Sequence, residues 1–312
     1  MHIGGPGEDA GNGDLTSCFG YSFRSTLPFP FASLRRGNGS PLHVTADPQA
    51  PDPNEGALLE WKEAGQSLVR LHTVGSTYVV WIDGVGWFRV DPRAPSIAVT
   101  SSATGPRLES RILGLPTALC FMHRGDFPVH AASVDIGGSA LLLAAPGRFG
   151  KSTLASAFVQ AGGRPLSEDT TCLRMTPVPS IVPGPAVLRI RPDVHERIDF
   201  PGTRVVAEDP DRIYLALDEE RRGDDSPVPV AGVVFLRRSE GEITIERVPA
   251  ESALPDLWTL SFHLPTDEDR ARCFSMVAEL GRLVPVWNLH RRLSFEHLPD
   301  VVDRIISTCL SK

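Results

Sequence analysis

The sequence contains no run of about 18 apolar residues, and its first residues do not place a basic segment before an apolar one. These absences predict neither a membrane-spanning helix nor a signal peptide, and they favour a cytoplasmic protein. The chain has 31 lysine and arginine residues and 38 aspartate and glutamate residues, which gives a formal net charge of −7. Because nucleic-acid-binding proteins present a basic surplus, we expect neither nucleic acid nor a membrane as a partner.

Cysteine and lysine are both scarce. The five cysteines are widely spaced and never form a C-x-x-C pair, so the pattern suggests neither a zinc site nor a disulfide framework. Only three of the 31 basic residues are lysines, Lys62, Lys151 and Lys312. With so few lysines in the chain, a lysine that follows a glycine-rich turn is less easily explained by chance.

The composition changes along the 312 residues, of which 41% are hydrophobic, enough for one large domain or two modest ones. Residues 1–45 are predicted to be largely disordered or extended, and residues 37–56 to form a loop rich in Pro, Asp and Gly. Residues 46–104 alternate apolar runs with turn residues, which predicts a small β-rich domain. Residues 105–312 start with a helical period over 107–124 and continue with alternating strands and helices, which predicts an α/β domain.

A buried strand, a tight loop and an amphipathic helix are predicted over residues 140–162, with Gly150-Lys151-Ser152 where the loop meets the helix. In a phosphate-binding loop, backbone N–H groups and the helix N-terminus hold the phosphates, a lysine reaches the β- and γ-phosphates, and a hydroxyl ligates magnesium. Lys151 and Ser152 fit the last two roles, so the motif predicts ATP and Mg²⁺ as cofactors. The residues expected at the nucleotide are Ala145, Pro146, Gly147, Arg148, Phe149, Gly150, Lys151, Ser152 and Thr153.

The match to the pattern G-x-x-x-x-G-K-[ST] has two departures. Ala145 stands where the first glycine belongs, and Arg148-Phe149 occupies positions that are usually small. The ring of Phe149 therefore has to turn outward, over the adenine or onto the protein surface. The alternative interpretation of the segment is a strand, a turn and a helix that contain Gly-Lys-Ser by coincidence.

An acidic pair, Glu168-Asp169, ends the strand predicted after that helix. Phosphoryl transfer needs a carboxylate that takes or orients the proton of the acceptor, together with oxygen ligands for the metal. We expect one carboxylate to act as the base and the other to hold the metal, with Ser152 and Asp169 as the candidate metal ligands. Because neighbouring carboxylates titrate as a pair, the assignment between them stays open. The alternative is an acid pair at an exposed strand end.

Three further side chains are candidates for the site. His130 begins the strand that comes before the P-loop strand, although a lone histidine is more often a packed, hydrogen-bonded residue. Arg189 and Arg191 stand two residues apart on a predicted strand, so their side chains share a face. A guanidinium fork bonds two phosphate oxygens at once, which makes both arginines candidates for nucleotide binding. The alternative is that the two arginines share a face by coincidence, because arginine is abundant in this chain.

In order and spacing, His130, the loop from Ala145 to Ser152 and the pair Glu168-Asp169 resemble the HPr kinase/phosphorylases and the wider group of HPr-kinase-like proteins. The resemblance covers roughly residues 105–310. It implies an α/β nucleotide-binding P-loop core of the type shared with phosphoenolpyruvate carboxykinases, and transfer of the γ-phosphate of ATP to a serine. Several stand-alone members of the group phosphorylate precursors of lasso peptides.

The chain also departs from that family. Glu168 stands where the family usually has Asp, so its carboxylate reaches one methylene further. Pro192-Asp193 follows Arg191 in place of the long glycine-rich signature of the enzymes that modify HPr. This second departure argues against HPr as the substrate and against phosphorylase activity.

The resulting prediction is a kinase that acts on a serine of a peptide or protein, with a lasso-peptide precursor as one such substrate. A small-molecule kinase and a non-catalytic ATP-binding regulator are the alternatives. A peptide acceptor is expected to bind the β-rich segment 57–99 by strand addition, near Trp81 and Trp87. The chain is also a candidate homo-oligomer.

Overall fold

The structure is a computed structural model that describes residues 16–28, 39–50, 56–145 and 149–310. The strands in these ranges are β1 (Thr16–Cys18), β2 (Tyr21–Ser25), β3 (Ser40–Ala46), β4 (Leu59–Glu63), β5 (Gln66–Val74), β6 (Thr77–Ile82), β7 (Gly86–Asp91), β8 (Ser96–Ser101), β9 (Phe127–Val129), β10 (Ala132–Ile136), β11 (Ser139–Ala144), β12 (Arg164–Ser167), β13 (Thr171–Arg174), β14 (Ser180–Val182), β15 (Val187–Ile190), β16 (Thr203–Asp209), β17 (Arg212–Leu217), β18 (Val228–Arg238), β19 (Thr244–Val248) and β20 (Val286–Arg291). The helices are α1 (Gly105–Ile112), α2 (Leu115–His123), α3 (Lys151–Gln160), α4 (Pro192–His195), α5 (Glu219–Arg222), α6 (Ala250–Leu260), α7 (Asp267–Leu283) and α8 (Leu298–Cys309). The described part of the chain therefore has a mixed α/β architecture, and none of its helices is long and apolar enough to cross a membrane.

The N-terminal strands form one eight-stranded sheet in the order β1-β2-β3-β8-β7-β6-β5-β4. Strands β4 to β8 are an antiparallel meander, whereas β3 runs parallel to both of its neighbours. Alternate residues such as Val80 and Phe88 are fully buried on one face of the sheet, in a core shared with α1 and α2. The alternating pattern predicted for this region is thus that of a sheet with one covered face.

Two local predictions in this region are wrong. Strand β3 lies within the predicted loop 37–56 and crosses the boundary predicted between residues 45 and 46, and its side chains Leu42 and Val44 are fully buried. The Pro- and Gly-rich flanks hid this short alternation. The helix predicted over 107–124 is two helices, because Gly114 and Pro116 interrupt it between α1 and α2.

The central nine-stranded sheet has the order β12-β10-β11-β18-β14-β13-β9, and β20 pairs with both β18 and β19. Strands β11, β18 and β20 are parallel, so their carboxyl ends meet at one edge of the sheet. Both faces of β11 are buried. Leu141 and Leu143 pack with α3 and α8, whereas Leu142 packs with α6 and α7 on the other face. This explains the continuous apolar run of β11.

A smaller sheet, β15-β17-β16, is antiparallel throughout and lies beside α3. Leu188 and Leu215 of this sheet are buried in the same core as Leu154 and Phe158 of α3. The shared core holds β15 and the start of α3 at the parallel edge of the central sheet.

Candidate functional site

The loop after β11 leads directly into α3, as the motif predicts. Gly150 precedes the helix with φ 78° and ψ 28°, in the left-handed region that favours glycine, and no side chain caps the helix N-terminus. A Cβ at this position would lie 2.8 Å from Nη2 of Arg291. The first N–H groups of α3 have no partner inside the helix, which makes this end suitable for an anion. The predicted contacts Pro146, Gly147 and Arg148 lie outside the described residues.

The side chain of Lys151 is mostly buried at the start of α3. Its ammonium group donates to the carbonyl oxygen of Ala145 at 2.7 Å and lies 2.8 Å from Nε2 of His130. Partial burial lowers the pKa of Lys151, and the charge of Asp169 opposes that shift. The three predicted residues Lys151, Ala145 and His130 are therefore in direct contact.

His130 also faces the acidic pair. Its Nδ1 atom lies 3.4 Å from Oδ1 of Asp169, and both side chains are about half exposed. Partial burial lowers the pKa of His130, and the positive charge of Lys151 acts in the same direction, while Asp169 acts against them. The histidine links the lysine of the loop to the acids of the β12–β13 turn.

The two acids occupy different environments. Glu168 is only 8% exposed, and its Oε2 accepts hydrogen bonds from the backbone N–H of Arg189 at 2.8 Å and from Nε of Arg189 at 3.2 Å. Its other oxygen, Oε1, is buried and has no hydrogen-bond partner within the described part of the chain. Burial raises the pKa of Glu168 to about 7, although Arg189 opposes the shift.

Asp169 is the member of the pair whose pKa is lowered. Burial alone would raise the pKa of this carboxyl, but the charges of Arg189, His130 and Lys151 outweigh burial and lower it. Nη2 of Arg189 lies 3.5 Å from Oδ2 of Asp169. One guanidinium thus contacts both acids, so Arg189 positions the carboxylates in addition to lining the cleft.

A chain of buried hydroxyls lies beneath the acidic turn. Oγ of Ser133 is 2.6 Å from Oγ of Ser167, which in turn bonds the hydroxyl of Thr171. Thr171 also donates to the carbonyl oxygen of Ala131 at 2.9 Å. These contacts connect both ends of the turn to β10 and to Ala131, the residue just before it. Sequence reasoning missed them, because three hydroxyls from three strands carry no local pattern.

A cleft of about 800 Å³ opens between α3, the acidic turn and the small sheet. Its walls carry five lysine and arginine side chains and two acids. The basic residues are Lys151, Arg189, Arg191, Arg212 and Arg291, and the acids are Asp169 and Asp211. The predicted residues Gly150, Ser152, Thr153 and His130 also line this cleft. The structure therefore brings the predicted residues within its described ranges together, apart from Ala145, Phe149 and Glu168, which do not line the cleft.

Arg291 is a site residue that sequence reasoning missed. It ends β20, is 3% exposed, and has no acidic partner in the described ranges. Its Nη2 atom lies 3.4 Å from the carbonyl oxygens of both Phe149 and Gly150. Burial lowers the pKa of Arg291. The available signal was its place just after the apolar run Val284-Pro-Val-Trp-Asn-Leu289.

Three aromatic residues that were predicted near the nucleotide or the acceptor, Phe149, Trp81 and Trp87, do not line the cleft. The ring of Phe149 packs against the apolar core beneath α3 and does not line the cleft, so it turns onto the protein. Trp81 and Trp87 face each other across β6 and β7 with ring centroids 6.5 Å apart. They alternate with the buried Val80 and Phe88, so they lie on the opposite face of the sheet from those residues, and neither lines the cleft.

Comparison with known proteins identifies no family for this chain. No protein-family profile and no curated protein matches the chain. Among solved structures, the HPr(Ser) kinase/phosphatase from Coxiella burnetii aligns with 58% of this chain and 93% of its own, at 11% sequence identity and a TM-score of 0.31. At this level of similarity, the function of the chain has to be argued from its own residues.

Proposed function

We propose that the chain is a magnesium- and ATP-dependent phosphotransferase that acts on a hydroxyl. The observation that carries the proposal is the charge of the cleft at the start of α3. Five lysine and arginine side chains face two acids there, in a protein whose formal net charge is −7. A positive cleft at a helix N-terminus in an acidic protein is suited to a polyanion such as a triphosphate.

The residues present fit a nucleotide. The N–H groups of the first turn of α3, the ammonium of Lys151 and the guanidinium of Arg291 would hold the phosphates. Arg291 supports this assignment most directly, because its buried Nε has no hydrogen-bond partner among the described residues. A buried cation without an acidic partner is costly, and a phosphate oxygen supplies the negative charge. Arg191 and Arg212 line the same cleft and are candidates for further contacts.

The donor set also fits magnesium. No group of three or more His, Cys, Asp and Glu side chains in the described ranges is arranged to hold a metal. Mg²⁺ characteristically binds one or two protein oxygens and takes its other ligands from phosphates and water. The hydroxyl of Ser152 and the carboxylate of Asp169, which is ionised because of its basic neighbours, would supply the protein ligands. When bound, the ion neutralises charge on the phosphate oxygens.

We assign the base to Glu168. Its Oε2 is held by Arg189, which leaves the unpartnered Oε1 available to accept a proton. The acceptor O–H bond breaks, with its proton moving to Oε1. The acceptor oxygen forms a bond to the γ-phosphorus as the bond to the β,γ-bridging oxygen breaks, leaving ADP. Arg189, His130 and the hydroxyl chain position the acids during this step.

The acceptor we propose is a serine of a peptide or protein, as the motif order of HPr-kinase-like proteins implies. A lasso-peptide precursor is one such substrate, and a small-molecule kinase is the alternative acceptor class. A regulator that binds ATP without transferring phosphate is disfavoured by the free, buried oxygen of Glu168, since binding alone gives that atom no role.

The scarcity of lysine supplies a matched test. Lys151→Ala removes the ammonium group at the loop. Lys62→Ala is the matched control, because it removes an ammonium group from β4, where Lys62 pairs with Glu60. We expect Lys151→Ala to weaken the affinity for ATP with Mg²⁺ by at least about 10-fold in calorimetry, and Lys62→Ala to leave it unchanged. Equal affinities in the two variants would refute the proposed nucleotide site.

A further inference from the structure

A second cavity of about 170 Å³ adjoins the positive cleft. The walls of both cavities include Asp169 and Arg189, so a group in the smaller cavity lies next to the acids. The smaller cavity lies between the acidic turn, the α1–α2 junction and the N-terminal sheet. Its volume accommodates a side chain or a small acid and excludes a nucleotide.

Glu168 lines this smaller cavity and not the larger cleft. Its Oε1 is the buried oxygen without a partner in the described part of the chain. Asp169 faces both cavities. If the nucleotide occupies the larger cleft, the proposed base therefore faces a group that enters from the other side, which is the side from which an acceptor hydroxyl can approach in line.

Arg111, in the last turn of α1, adds a charge to this cavity. Its side chain is exposed and has no hydrogen bond or ion pair within the ranges that the structure describes. Arg189, the other cation of the cavity, already bonds Glu168 and Asp169. Although part of its surface is exposed, desolvation of the guanidinium lowers the pKa of Arg111; the charge of Arg189 adds to that shift and the charge of Asp169 opposes it. Arg111 is thus the cation of this cavity whose charge is not matched by a bonded acid.

The remaining walls are largely apolar. Val69 and Ile82 come from the N-terminal sheet, Leu113 and Leu115 from the α1–α2 junction, and Val187 from β15. Such walls suit a short aliphatic stem. These apolar walls provide no charged partner for a second charged group on the ligand.

From this arrangement, and resting on the proposed function, we infer that the smaller cavity is the acceptor subsite and that Arg111 selects acceptors with a carboxylate next to the hydroxyl. The hydroxyl lies at Glu168, the stem lies against the apolar wall, and the carboxylate pairs with the guanidinium of Arg111. Two sources carry this chemistry: a serine beside an acidic residue in a peptide, and a free hydroxy acid.

The test uses the full chain with Mg²⁺ and γ-labelled ATP. One arm offers serine peptides in a neutral background, with Asp or Glu, Asn or Gln, or Lys beside the serine. A second arm offers free L-serine and glycerate. Wild type is compared with Arg111→Glu and with Arg107→Glu, a charge reversal one turn earlier on α1 that lines neither cavity.

We expect wild type and Arg107→Glu to prefer the acidic acceptor over its amide counterpart by about 10-fold or more in kcat/KM, mainly through the KM for the acceptor. Arg111→Glu should lose this preference and favour Lys beside the serine, with the KM for ATP unchanged. A gain of activity on the basic peptide cannot result from misfolding. Label in the peptides would identify an acidic peptide as the source of the carboxylate, and label in L-serine or glycerate would identify a free hydroxy acid.

Two results would overturn the inference. If wild type shows no preference for a carboxylate, or if Arg111→Glu keeps the wild-type preference, Arg111 does not select the acceptor, and the proposed function stands. If no acceptor is labelled although ATP binds in a Lys151-dependent way, phosphotransfer itself is refuted, and the acceptor subsite with it.

Discussion

The ammonium nitrogen of Lys151 lies 2.8 Å from Nε2 of His130. Because an ammonium can only donate, Nε2 has to accept, and the proton of a neutral imidazole then resides on Nδ1. That atom faces Asp169 at 3.4 Å. With Lys151 charged, the contact therefore favours a neutral His130 ring whose N–H points to the carboxylate.

This relationship predicts how two substitutions move the pKa of His130. Lys151→Ala removes a positive neighbour and should raise the pKa, whereas Asp169→Asn removes a negative one and should lower it. Side-chain ¹⁵N NMR over a pH series, without metal or nucleotide, measures both shifts and the tautomer. Shifts of the same sign in the two variants would contradict the arrangement, and Lys62→Ala, on β4, serves as the control.

A second prediction separates the two acids. Glu168→Gln keeps the shape of the side chain but removes the proton acceptor, so the rate of transfer should fall by about 10²–10⁴-fold while ATP binding changes little. Asp169→Asn should instead raise the Mg²⁺ concentration needed for half-maximal activity. Measured phosphate transfer and magnesium titrations test this division. If the two variants exchange phenotypes, the assignment of base and metal ligand is reversed.

A third prediction concerns Arg291. Arg291→Met keeps most of the length of the side chain and removes a buried charge that has no acid partner in the described ranges, so the nucleotide-free protein should be at least as stable as wild type. Its affinity for ATP should fall by about 10–100-fold, since a charge-assisted hydrogen bond contributes roughly 1.5–3 kcal/mol.

The adjacent residue provides the control for this variant. Arg292 is 58% exposed and lies 3.9 Å from Glu240. Arg292→Met should therefore leave ATP binding unchanged. Thermal unfolding with and without ATP gives both quantities at once, and the same ATP-induced shift in all three proteins would mean that Arg291 has a purely structural role.

A fourth prediction follows from the raised pKa of Glu168. The folded state favours the protonated carboxyl, with a pKa of about 7 against a usual value of 4.5. The stability that this group contributes is complete below pH 4.5 and is lost as the pH rises through 7. The full loss corresponds to on the order of 3 kcal/mol.

Glu168→Gln removes that titration. In metal-free buffer, the free energy of unfolding of the variant should therefore increase relative to that of wild type between about pH 5 and about pH 8, because only wild type loses stability over this range. Denaturant unfolding at both ends of the range measures the change. Glu63→Gln, an exposed carboxylate on β4, should show no comparable trend, and a flat difference for Glu168→Gln would contradict the burial argument.

The site was predictable where chemistry and local pattern coincide. Gly150, Lys151 and Ser152 mark a strand-to-helix junction within a few residues, and Glu168-Asp169 follows one helix later. Arg291 and Arg111 were missed because only the sheet order brings Arg291 to the loop before α3, and only the α1–α2 break brings Arg111 to the smaller cavity. The same holds for β3, whose partners come from distant segments. Long-range pairing leaves no periodic signal in a single sequence.

The backbone N–H of Arg189 that bonds Glu168 belongs to β15, and β15 pairs with β17, which begins at Arg212 in the wall of the cleft. One sheet therefore reaches both the proposed polyanion site and the proposed proton acceptor. If the proposed nucleotide site is correct, a displacement of this sheet on nucleotide binding would change the proton affinity of Glu168. By thermodynamic reciprocity, the protonation state of Glu168 would then change nucleotide affinity by the same factor, so nucleotide binding and protonation of the proposed base would be one coupled equilibrium.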